Sequence, residues 1–323
     1  MLVLIGTSIK GIFMGHWKFL QEGDIIDAVS PGYASTPEDI EGSREFLLRW
    51  GLTPRIPKNL IKPHFLHSNE DEARFRFLKA AIEAEDSNTI WCLRGGYGSN
   101  RLLPMLAKLT KPKQPKLVIG LSDVTSLFAF FQQEWKWPVM HAPILDRMGR
   151  NVTLPRHEKE FRDLLFGTKK EITFKKLKPL NDAAKETKQI KSKIVGGNLT
   201  VLQSTMGTPW QIKADRSLLF IEDIGERGYR IDRMLEQFRQ GGILKKCDGI
   251  ILGEFLEGAE PKTGVNNFKQ VFNRWAQDLE IPLYSGLEAG HGTIQRPIPF
   301  GTSCELSKSG NSFELVIQSG GKK

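Results

Sequence analysis

The stretch KLVIGLSDVTSLFAFFQQ, from Lys116 to Gln133, joins a short apolar run directly to a segment with the composition of an amphipathic helix. The joint is the tetrapeptide GLSD at residues 120–123. Such a joint is typical of a buried strand that turns tightly into a helix within a parallel sheet. Ser122 can then either cap the helix or stand on the turn as a nucleophile, and this stretch alone is compatible with both roles.

The same alternation of strand and helix extends outward through the N-terminal half. GDIIDAVSPG and NTIWCL read as strands, and PEDIEGSREFLLRWG and EDEARFRFLKAAIEAED read as helices. Short strands separated by helices of this length indicate βαβ units, so we expect a Rossmann-like parallel sheet with helices on both faces. The loop RGGYGS and the turn GLSD both follow predicted strands. Both should therefore lie at the carboxyl edge of the sheet, where such folds bind ligands.

A lysine-rich segment separates this half from the rest of the chain. Residues 167–193 contain nine lysines and three acidic residues, no arginine, and Phe174 as the only aromatic residue. Nucleic-acid sites combine cations with stacking aromatics and arginine forks, so a solvated connector is favoured over a nucleic-acid surface. We predict an N-terminal α/β domain at 1–166, a Lys-rich connector at 167–193, and a smaller C-terminal α/β domain, richer in strands, at 194–323.

Composition bounds the class of protein. The chain has 323 residues, of which 40% are hydrophobic and 26% charged, as in ordinary globular proteins of two domains. No apolar run is long enough to span a membrane, so we expect no membrane partner. The apolar start, residues 1–20, lacks a basic n-region and a cleavage site, and we interpret it as a strand or packed extension. We expect a cytoplasmic protein, with export through an atypical N-terminus as the alternative.

The three cysteines give no sign of a disulfide framework or a zinc site. Cys92, Cys247 and Cys304 are scattered along the chain without CxxC spacing. Two of them lie in apolar runs, where a small buried residue is the ordinary expectation. We therefore expect neither a metal nor another cofactor.

The sequence around Ser122 matches half of a nucleophile elbow. In G-x-S-x-G the serine stands between two small residues; Gly120 supplies the first, and Val124 occupies the position of the second. Ser122 or Asp123 can equally cap the following helix. The two roles are compatible, because the same turn directs backbone N–H groups toward a developing oxyanion.

A nucleophilic serine needs a base and a group that orients the base. Among six histidines, His291 is distinctive because Gly290 and Gly292 flank it and let the backbone bring the imidazole close to another element. Glu222 ends an apolar strand, where a carboxylate is costly to bury without a partner. The chain order serine, acid, histidine is that of α/β-hydrolase triads. These residues alone leave a serine hydrolase about as well supported as a simple helix cap.

Five motifs occur in one order across nearly the whole chain: RGGYGSNRLL, IGLSDVTSL, VGGNLTVL, LLFIEDIGERGYRIDRML and GHGTIQRPIPFG. Together they closely resemble the LD-carboxypeptidase family of serine peptidases, which includes murein tetrapeptide carboxypeptidases and microcin-immunity peptidases. The resemblance implies Ser122 as the nucleophile, Glu222 as the acid and His291 as the base. It also implies an oxyanion hole made by the backbone N–H groups of Asp123 and Gly96.

The resemblance implies a reaction as well. The expected enzyme is a cytoplasmic homodimer that removes the C-terminal D-alanine from murein tetrapeptides, through an acyl-enzyme, in peptidoglycan recycling. Its partner is then a muropeptide and not a nucleic acid. One alternative is a microcin-immunity-type peptidase that acts on peptidyl or aminoacyl nucleotides. Another is a non-catalytic protein that holds an anion at the RGGYG and GLSD turns, although RGGYG does not match a phosphate-binding loop.

A carboxypeptidase must also hold the free carboxylate of its substrate, for which arginine is well suited. Arg94 is favoured because it adjoins the RGGYG turn, and an ordinary surface ion pair is an equally good explanation for each candidate arginine. The chain departs from the family in three places: SPGYAS at 30–35, HAP at 141–143, and an unusual extension formed by the first twenty residues. The full set of predicted substrate contacts is Arg94, Gly95, Tyr97, Arg227, Tyr229 and Arg230.

Overall fold

The computed structural model describes residues 16–322, and its N-terminal half alternates strands with helices. The elements in order are β1 (Trp17–Lys18), β2 (Ile25–Val29), α1 (Pro37–Arg49), β3 (Thr53–Arg55), α2 (Asp71–Glu83), β4 (Ser87–Cys92), α3 (Leu103–Leu106), β5 (Leu117–Gly120), α4 (Thr125–Phe130), β6 (Val139–His141), α5 (Leu145–Gly149) and α6 (Pro155–Leu165). A 3₁₀ turn at Ser122–Val124 precedes α4, and a π-helical turn at Phe131–Trp135 follows it. Most of the predicted packed extension falls on residues 1–15, outside the described residues.

The C-terminal half contains more strands. Its elements are β7 (Glu171–Pro179), α7 (Asp182–Glu186), β8 (Gln189–Asn198), α8 (Leu199–Ser204), β9 (Leu218–Ile224), α9 (Gly228–Gln240), β10 (Gly249–Leu256), α10 (Phe268–Asp278), β11 (Leu283–Ser285), β12 (Ile298–Phe300), β13 (Ser303–Ser309), β14 (Ser312–Gln318) and β15 (Gly321–Lys322). The predicted fold class, a Rossmann-like parallel sheet with a second strand-rich α/β domain, is confirmed.

The N-terminal sheet has six strands in the order β3-β2-β4-β5-β6-β12. The first five are mutually parallel, and β12 adds an antiparallel edge. Every residue of β5 is buried, as expected for a central parallel strand covered on both faces. Alternate residues of β4 point to opposite faces, with Trp91 in one core cluster and Ile90 and Cys92 in the other. The turns after β4 and β5 consequently emerge side by side at one edge.

The C-terminal half closes into a seven-stranded barrel in the order β10-β11-β7-β14-β13-β8-β9. The prediction of a solvated connector at 167–193 is wrong, because β7, α7 and the first half of β8 all come from that segment. Ile172, Phe174 and Leu177 of β7 are buried, whereas Lys175 and Lys178 are exposed. The lysines cover the outer face of a barrel strand whose few apolar residues point inward.

The two halves are interleaved along the chain. Although β12 lies late in the sequence, it pairs with β6 of the N-terminal sheet, and β15 pairs with β1. The loop 286–297 between β11 and β12 therefore runs from the barrel to the sheet. Among residues 16–322, none of the helices combines the length and the apolar character needed to cross a bilayer.

Candidate active site

Ser122 lies on a strained turn at the carboxyl end of β5. Its φ is +64°, a left-handed conformation that is costly for a residue with a Cβ atom. Within the described chain, neither the 3₁₀ turn that begins at Ser122 nor α4 has a side-chain cap, so Ser122 does not act as the helix cap. A Cβ at Gly120 would lie 2.9 Å from Cγ1 of Val124. Val124 therefore packs over Gly120 in place of the second glycine of an elbow.

The RGGYG turn packs directly against this serine. A Cβ at Gly95 would lie 2.8 Å from Cβ and 3.1 Å from Oγ of Ser122, so only glycine permits the approach. Gly96 has φ +90° and lies against Tyr33, whose N–H donates to the carbonyl of Gly95 at 2.8 Å. The structure therefore brings the two turns together, as their positions after neighbouring strands predict.

The side chain of Asp123 ties the two turns to each other. Its Oδ2 accepts a hydrogen bond from the N–H of Ser99 at 2.8 Å. Burial raises the pKa of Asp123, opposed by the hydrogen bonds from Ser99 and Gly98. The carboxylate thus faces the RGGYGS loop and holds it against the turn of Ser122.

Glu222 and His291 form a buried pair on the barrel side of the site. Nδ1 of His291 and Oε2 of Glu222 lie 2.6 Å apart, and Glu222, in the carboxyl-terminal half of β9, is completely buried. Burial works to lower the pKa of His291, but the charge and hydrogen bond of Glu222 outweigh it, so the net pKa is raised. Nε2 is buried and has no hydrogen-bond partner among residues 16–322. With Nδ1 held by the carboxylate, Nε2 is the nitrogen that can accept a proton.

Asn198 links this pair to the helix that follows Ser122. Its backbone N–H donates to Oγ1 of Thr125, on the first turn of α4, at 3.1 Å. Its side-chain amide donates to Asp223 at 3.0 Å and to Glu222 at 3.4 Å. Sequence reasoning did not single out Asn198; its position after two glycines at the end of a strand was the available signal. The contact brings the carboxyl ends of β8 and β9 onto the amino end of α4.

Two further buried groups adjoin the pair. Burial, together with the nearby charge of Glu222, raises the pKa of Asp223 to about 6. His141, paired with Gly120 across β5 and β6, is fully buried, and burial lowers its pKa to about 4. Neither ring nitrogen of His141 has a hydrogen-bond partner in the described part of the chain. The site therefore contains a second imidazole that stays neutral near pH 7.

The predicted substrate contacts fall into two groups. Arg94 and Tyr97 flank the glycine turn beside Ser122. The side chain of Arg94 is 34% exposed, and Tyr97 as a whole residue is 45% exposed. Arg94 approaches two carboxylates, those of Asp39 at 3.9 Å and Asp146 at 3.8 Å, too distant for good hydrogen bonds.

The second group lies at the start of α9, on the barrel. Arg227 donates to the hydroxyl of Tyr229 at 2.7 Å, and Arg230 does so at 3.3 Å. Arg230 also pairs with Glu226 at 3.4 Å, and Arg227 approaches Glu260 at 3.8 Å. These two guanidinium groups are thus engaged by neighbours on the same domain, as in ordinary surface ion pairs.

His64 and His67, three residues apart, do not form a helical metal pair. They bond to each other through their backbones in a tight turn, and the ring of His67 lies 5.3 Å from that of Tyr97. Across residues 16–322, the structure contains no cluster of three His, Cys, Asp or Glu residues arranged to hold a metal ion.

Comparison with known proteins identifies relatives over most of the chain. The family models for the LD-carboxypeptidase N-terminal and C-terminal domains match residues 26–142 and 191–306. A relative from Rickettsia conorii that is named as a carboxypeptidase is 36% identical over 250 residues, covering 77% of each chain. The murein tetrapeptide carboxypeptidase of Pseudomonas aeruginosa is 30% identical over 289 residues, covering 86% of this chain and 91% of the relative.

Other similarities extend to a solved structure and to another activity. The muramoyltetrapeptide carboxypeptidase from Oxalobacter formigenes matches with a TM-score of 0.78 at 28% identity, covering 91% of this chain and 98% of that chain. A microcin self-immunity protein of Escherichia coli is 24% identical over 302 residues, covering 85% of this chain and 87% of the relative. The matched sequences thus include proteins named for two different activities.

Proposed function

Because the chain belongs to the LD-carboxypeptidase family, we propose that it is a serine LD-carboxypeptidase that removes the C-terminal D-alanine from murein tetrapeptides. The observation that carries the proposal is the buried Glu222–His291 pair, 2.6 Å apart, which lies on the barrel edge that packs against the helix following Ser122. A strained serine turn and an imidazole with an unpartnered Nε2 are the parts that acyl transfer requires.

In the proposed reaction, His291 is the general base. Its Nε2 takes the hydroxyl proton of Ser122 as the oxygen attacks the peptide carbonyl carbon. Glu222 holds the Nδ1–H tautomer and stabilises the imidazolium that forms. The tetrahedral intermediate then collapses, His291 returns the proton to the departing amine of D-alanine, and the peptide stays esterified to the serine. Water, activated by the same imidazole, hydrolyses that ester.

The oxyanion hole in this mechanism uses the peptide N–H groups of Asp123 and Gly96. Its support is the direct packing of the RGGYG turn on Ser122, together with the hydrogen bond from Ser99 that locks the two turns. Because such donors are fixed before the reaction begins, one of them is typically worth about 3 kcal/mol in the activation barrier.

We assign the terminal carboxylate of the substrate to Arg94. Its guanidinium is partly exposed beside the glycine turn and only loosely paired, so donor capacity remains for a ligand. Tyr97 and Gly95 then border the same pocket. Arg227 and Arg230 rank lower, since Tyr229, Glu226 and Glu260 already engage them.

The alternative substrate is a peptidyl or aminoacyl nucleotide, as in microcin-immunity peptidases. Such a substrate calls for an aromatic ring on which a base can stack. Tyr229 is 48% exposed, but guanidinium groups of Arg227 and Arg233 already lie 4.8 and 5.6 Å from its ring centre. Tyr229 is therefore a poor candidate for that stacking ring.

Mass spectrometry of a muropeptide mixture after incubation with the enzyme tests the proposal. The expected result is loss of one alanine from tetrapeptides and no change in pentapeptides, with Ser122→Ala as the inactive control. Cleavage of an aminoacyl sulfamoyl nucleotide, with muropeptides left intact, would establish the alternative instead. No turnover of either substrate, and no adduct from a serine-directed phosphonate, would leave only the anion-binding role.

The proposal includes a cytoplasmic homodimer that acts in peptidoglycan recycling, on the strength of the family resemblance. Light scattering of the purified protein tests the assembly, with twice the mass of 36.5 kDa as the expected result. A mass equal to one chain at all concentrations contradicts it.

A further inference from the structure

The loop that carries His291 has no regular secondary structure of its own. It spans residues 286–297, between β11 and β12. A base on such a loop depends on contacts from outside to keep its imidazole at the angle that catalysis requires. Within the loop, the side-chain amide of Gln295 donates to the carbonyl of Gly290 at 3.1 Å. The stronger restraints come from two charged residues on other elements.

Arg147, on α5, binds the loop from the N-terminal half of the molecule. Its Nη1 donates to the carbonyl of His291 at 3.0 Å, and its Nη2 donates to the carbonyl of Gly292 at 2.9 Å. A planar guanidinium that donates to two consecutive carbonyls fixes their orientation as well as their position. Helix α5 is itself held against α1, because Gly149 packs closely on Gly42. A Cβ atom at Gly149 would lie 2.5 Å from the carbonyl carbon of Gly42.

Glu254, on β10, holds the loop from the barrel side. Its Oε2 accepts the N–H of Gly292 at 2.8 Å, and its own N–H donates to the carbonyl of Ala289 at 3.0 Å. A Cβ at Gly290 would lie 2.8 Å from Cβ of Glu254, and one at Gly292 would lie 2.6 Å from Oε2. The glycines that flank His291 are therefore required for close packing against Glu254, beyond any freedom they give the backbone.

We propose that Arg147 and Glu254 are positioning residues that clamp the backbone around His291 from both halves of the molecule, so that Nδ1 stays on Glu222 and Nε2 stays open for Ser122. This inference rests on the proposed role of His291 as the base. Neither Arg147 nor Glu254 lies in any of the five sequence motifs.

The two clamping residues also carry opposite charges beside the imidazole. The charged and titratable groups that face His291 are Glu222 and Asp223 on β9, Glu254 on β10, Arg147 on α5 and His141 on β6. Arg147 opposes protonation of His291, whereas His291 and Glu254 favour each other's charged forms. Removal of the arginine charge should therefore raise the pKa of His291, and neutralisation of Glu254 should lower it.

The test compares Arg147→Met, Arg147→Lys and Glu254→Gln with the wild type in alanine release from muropeptide tetrapeptides. All three should lower kcat by between about tenfold and a hundredfold, with little change in KM, because the reacting groups are displaced while the substrate contacts stay. In kcat/KM against pH, the acidic limb should move to higher pH in Arg147→Met, to lower pH in Glu254→Gln, and remain in place in Arg147→Lys. A merely structural role does not produce opposite shifts.

The matched control is Arg49→Met. Arg49 is exposed and donates to Asn151 in the segment after α5 at 2.9 Å, so its loss removes a charge and a hydrogen bond near the same helix. It should leave kcat and the pH profile unchanged. Thermal unfolding of each variant shows whether it folds, and Arg147→Lys keeps the test valid if Arg147→Met does not.

An NMR titration of the imidazole of His291, with His291→Gln to assign its signal, needs neither a substrate nor a reactive serine. It separates failure of this inference from failure of the proposed function. Opposite pKa shifts of His291 in Arg147→Met and Glu254→Gln, with loss of the low-field Nδ1–H signal, support the clamp even in a protein that releases no alanine. An unchanged His291 signal in both variants, or the same change in Arg49→Met, overturns it.

Discussion

Nδ1 of His291 lies 2.6 Å from Oε2 of Glu222, and the two residues are 69 positions apart in the chain. Glu222 comes from a barrel strand, and His291 comes from a loop that returns to the N-terminal sheet. A fully buried carboxylate is costly without a partner, so the pair is mutually dependent.

Glu222→Gln should lower kcat roughly ten-thousandfold, because the imidazole loses the group that fixes its tautomer and supports its charge. Since Glu222 helps to raise the pKa of His291, the acidic limb of the rate profile should move to lower pH in the variant. Steady-state kinetics against pH provide the measurement. Equal rates for the two proteins would remove Glu222 from the mechanism.

The same pair should influence stability. Because the pKa of His291 is raised in the folded protein, protonation of His291 adds to the free energy of unfolding. This contribution is fully present below the ordinary histidine pKa of about 6.5, and it is lost as the pH rises through the raised pKa. The difference in unfolding free energy between wild type and Glu222→Gln should therefore shrink as the pH rises. Urea unfolding at several pH values measures it, and a difference that grows with pH contradicts the pairing.

Ser122→Ala and Ser122→Gly should both be inactive but should differ in stability. Loss of the nucleophile lowers kcat by up to about a millionfold. Because φ at this position is +64°, alanine retains the strain of a left-handed residue, whereas glycine relieves it. The glycine variant should be more stable than the alanine variant by about 1 kcal/mol. Thermal unfolding decides this, and a less stable glycine variant would show that the turn is unstrained.

His141→Leu should make the protein less sensitive to acid. The pKa of His141 is lowered to about 4 by burial, whereas the unfolded chain binds a proton there near pH 6.5. Between those values the unfolded state holds more protons, so wild-type stability falls by about 3 kcal/mol as the pH drops from 6.5 to 4. The free energy of unfolding of His141→Leu should fall correspondingly less over the same pH range. Urea unfolding at pH 7 and pH 4.5, with exposed His64→Leu as the control, measures the change.

Arg94→Gln should raise KM for tetrapeptides at least tenfold and affect kcat less, because it removes a contact with the substrate carboxylate that is present throughout the reaction. Arg230→Gln, which removes a guanidinium already paired with Glu226, is the matched comparison. A larger increase in KM for Arg230→Gln than for Arg94→Gln would move the carboxylate site to α9.

The sheet and its reactive edge were readable in the sequence because both follow from local patterns. Apolar runs of strand length, separated by amphipathic helices, leave a parallel sheet as the simplest way to bury both sets of residues. The turns containing Gly95 and Ser122 follow adjacent strands and meet where the parallel geometry places them. The lysine-rich segment does not read as a strand from sequence, because its three inward-facing apolar residues, Ile172, Phe174 and Leu177, are a weak signal among so many lysines.

By itself, the sequence determined the alternation of elements and which turns face the same edge, since these depend on residues near one another in the chain. Tertiary structure alone decided that β7 closes a barrel with β11 and β14 and that the loop of His291 returns to the sheet. It also decided that Arg147 and Glu254 hold the backbone around His291 and that Asn198 contacts Glu222. Such contacts join residues that are tens to hundreds of positions apart. They are selected by long-range packing, which leaves no periodic pattern in the local sequence.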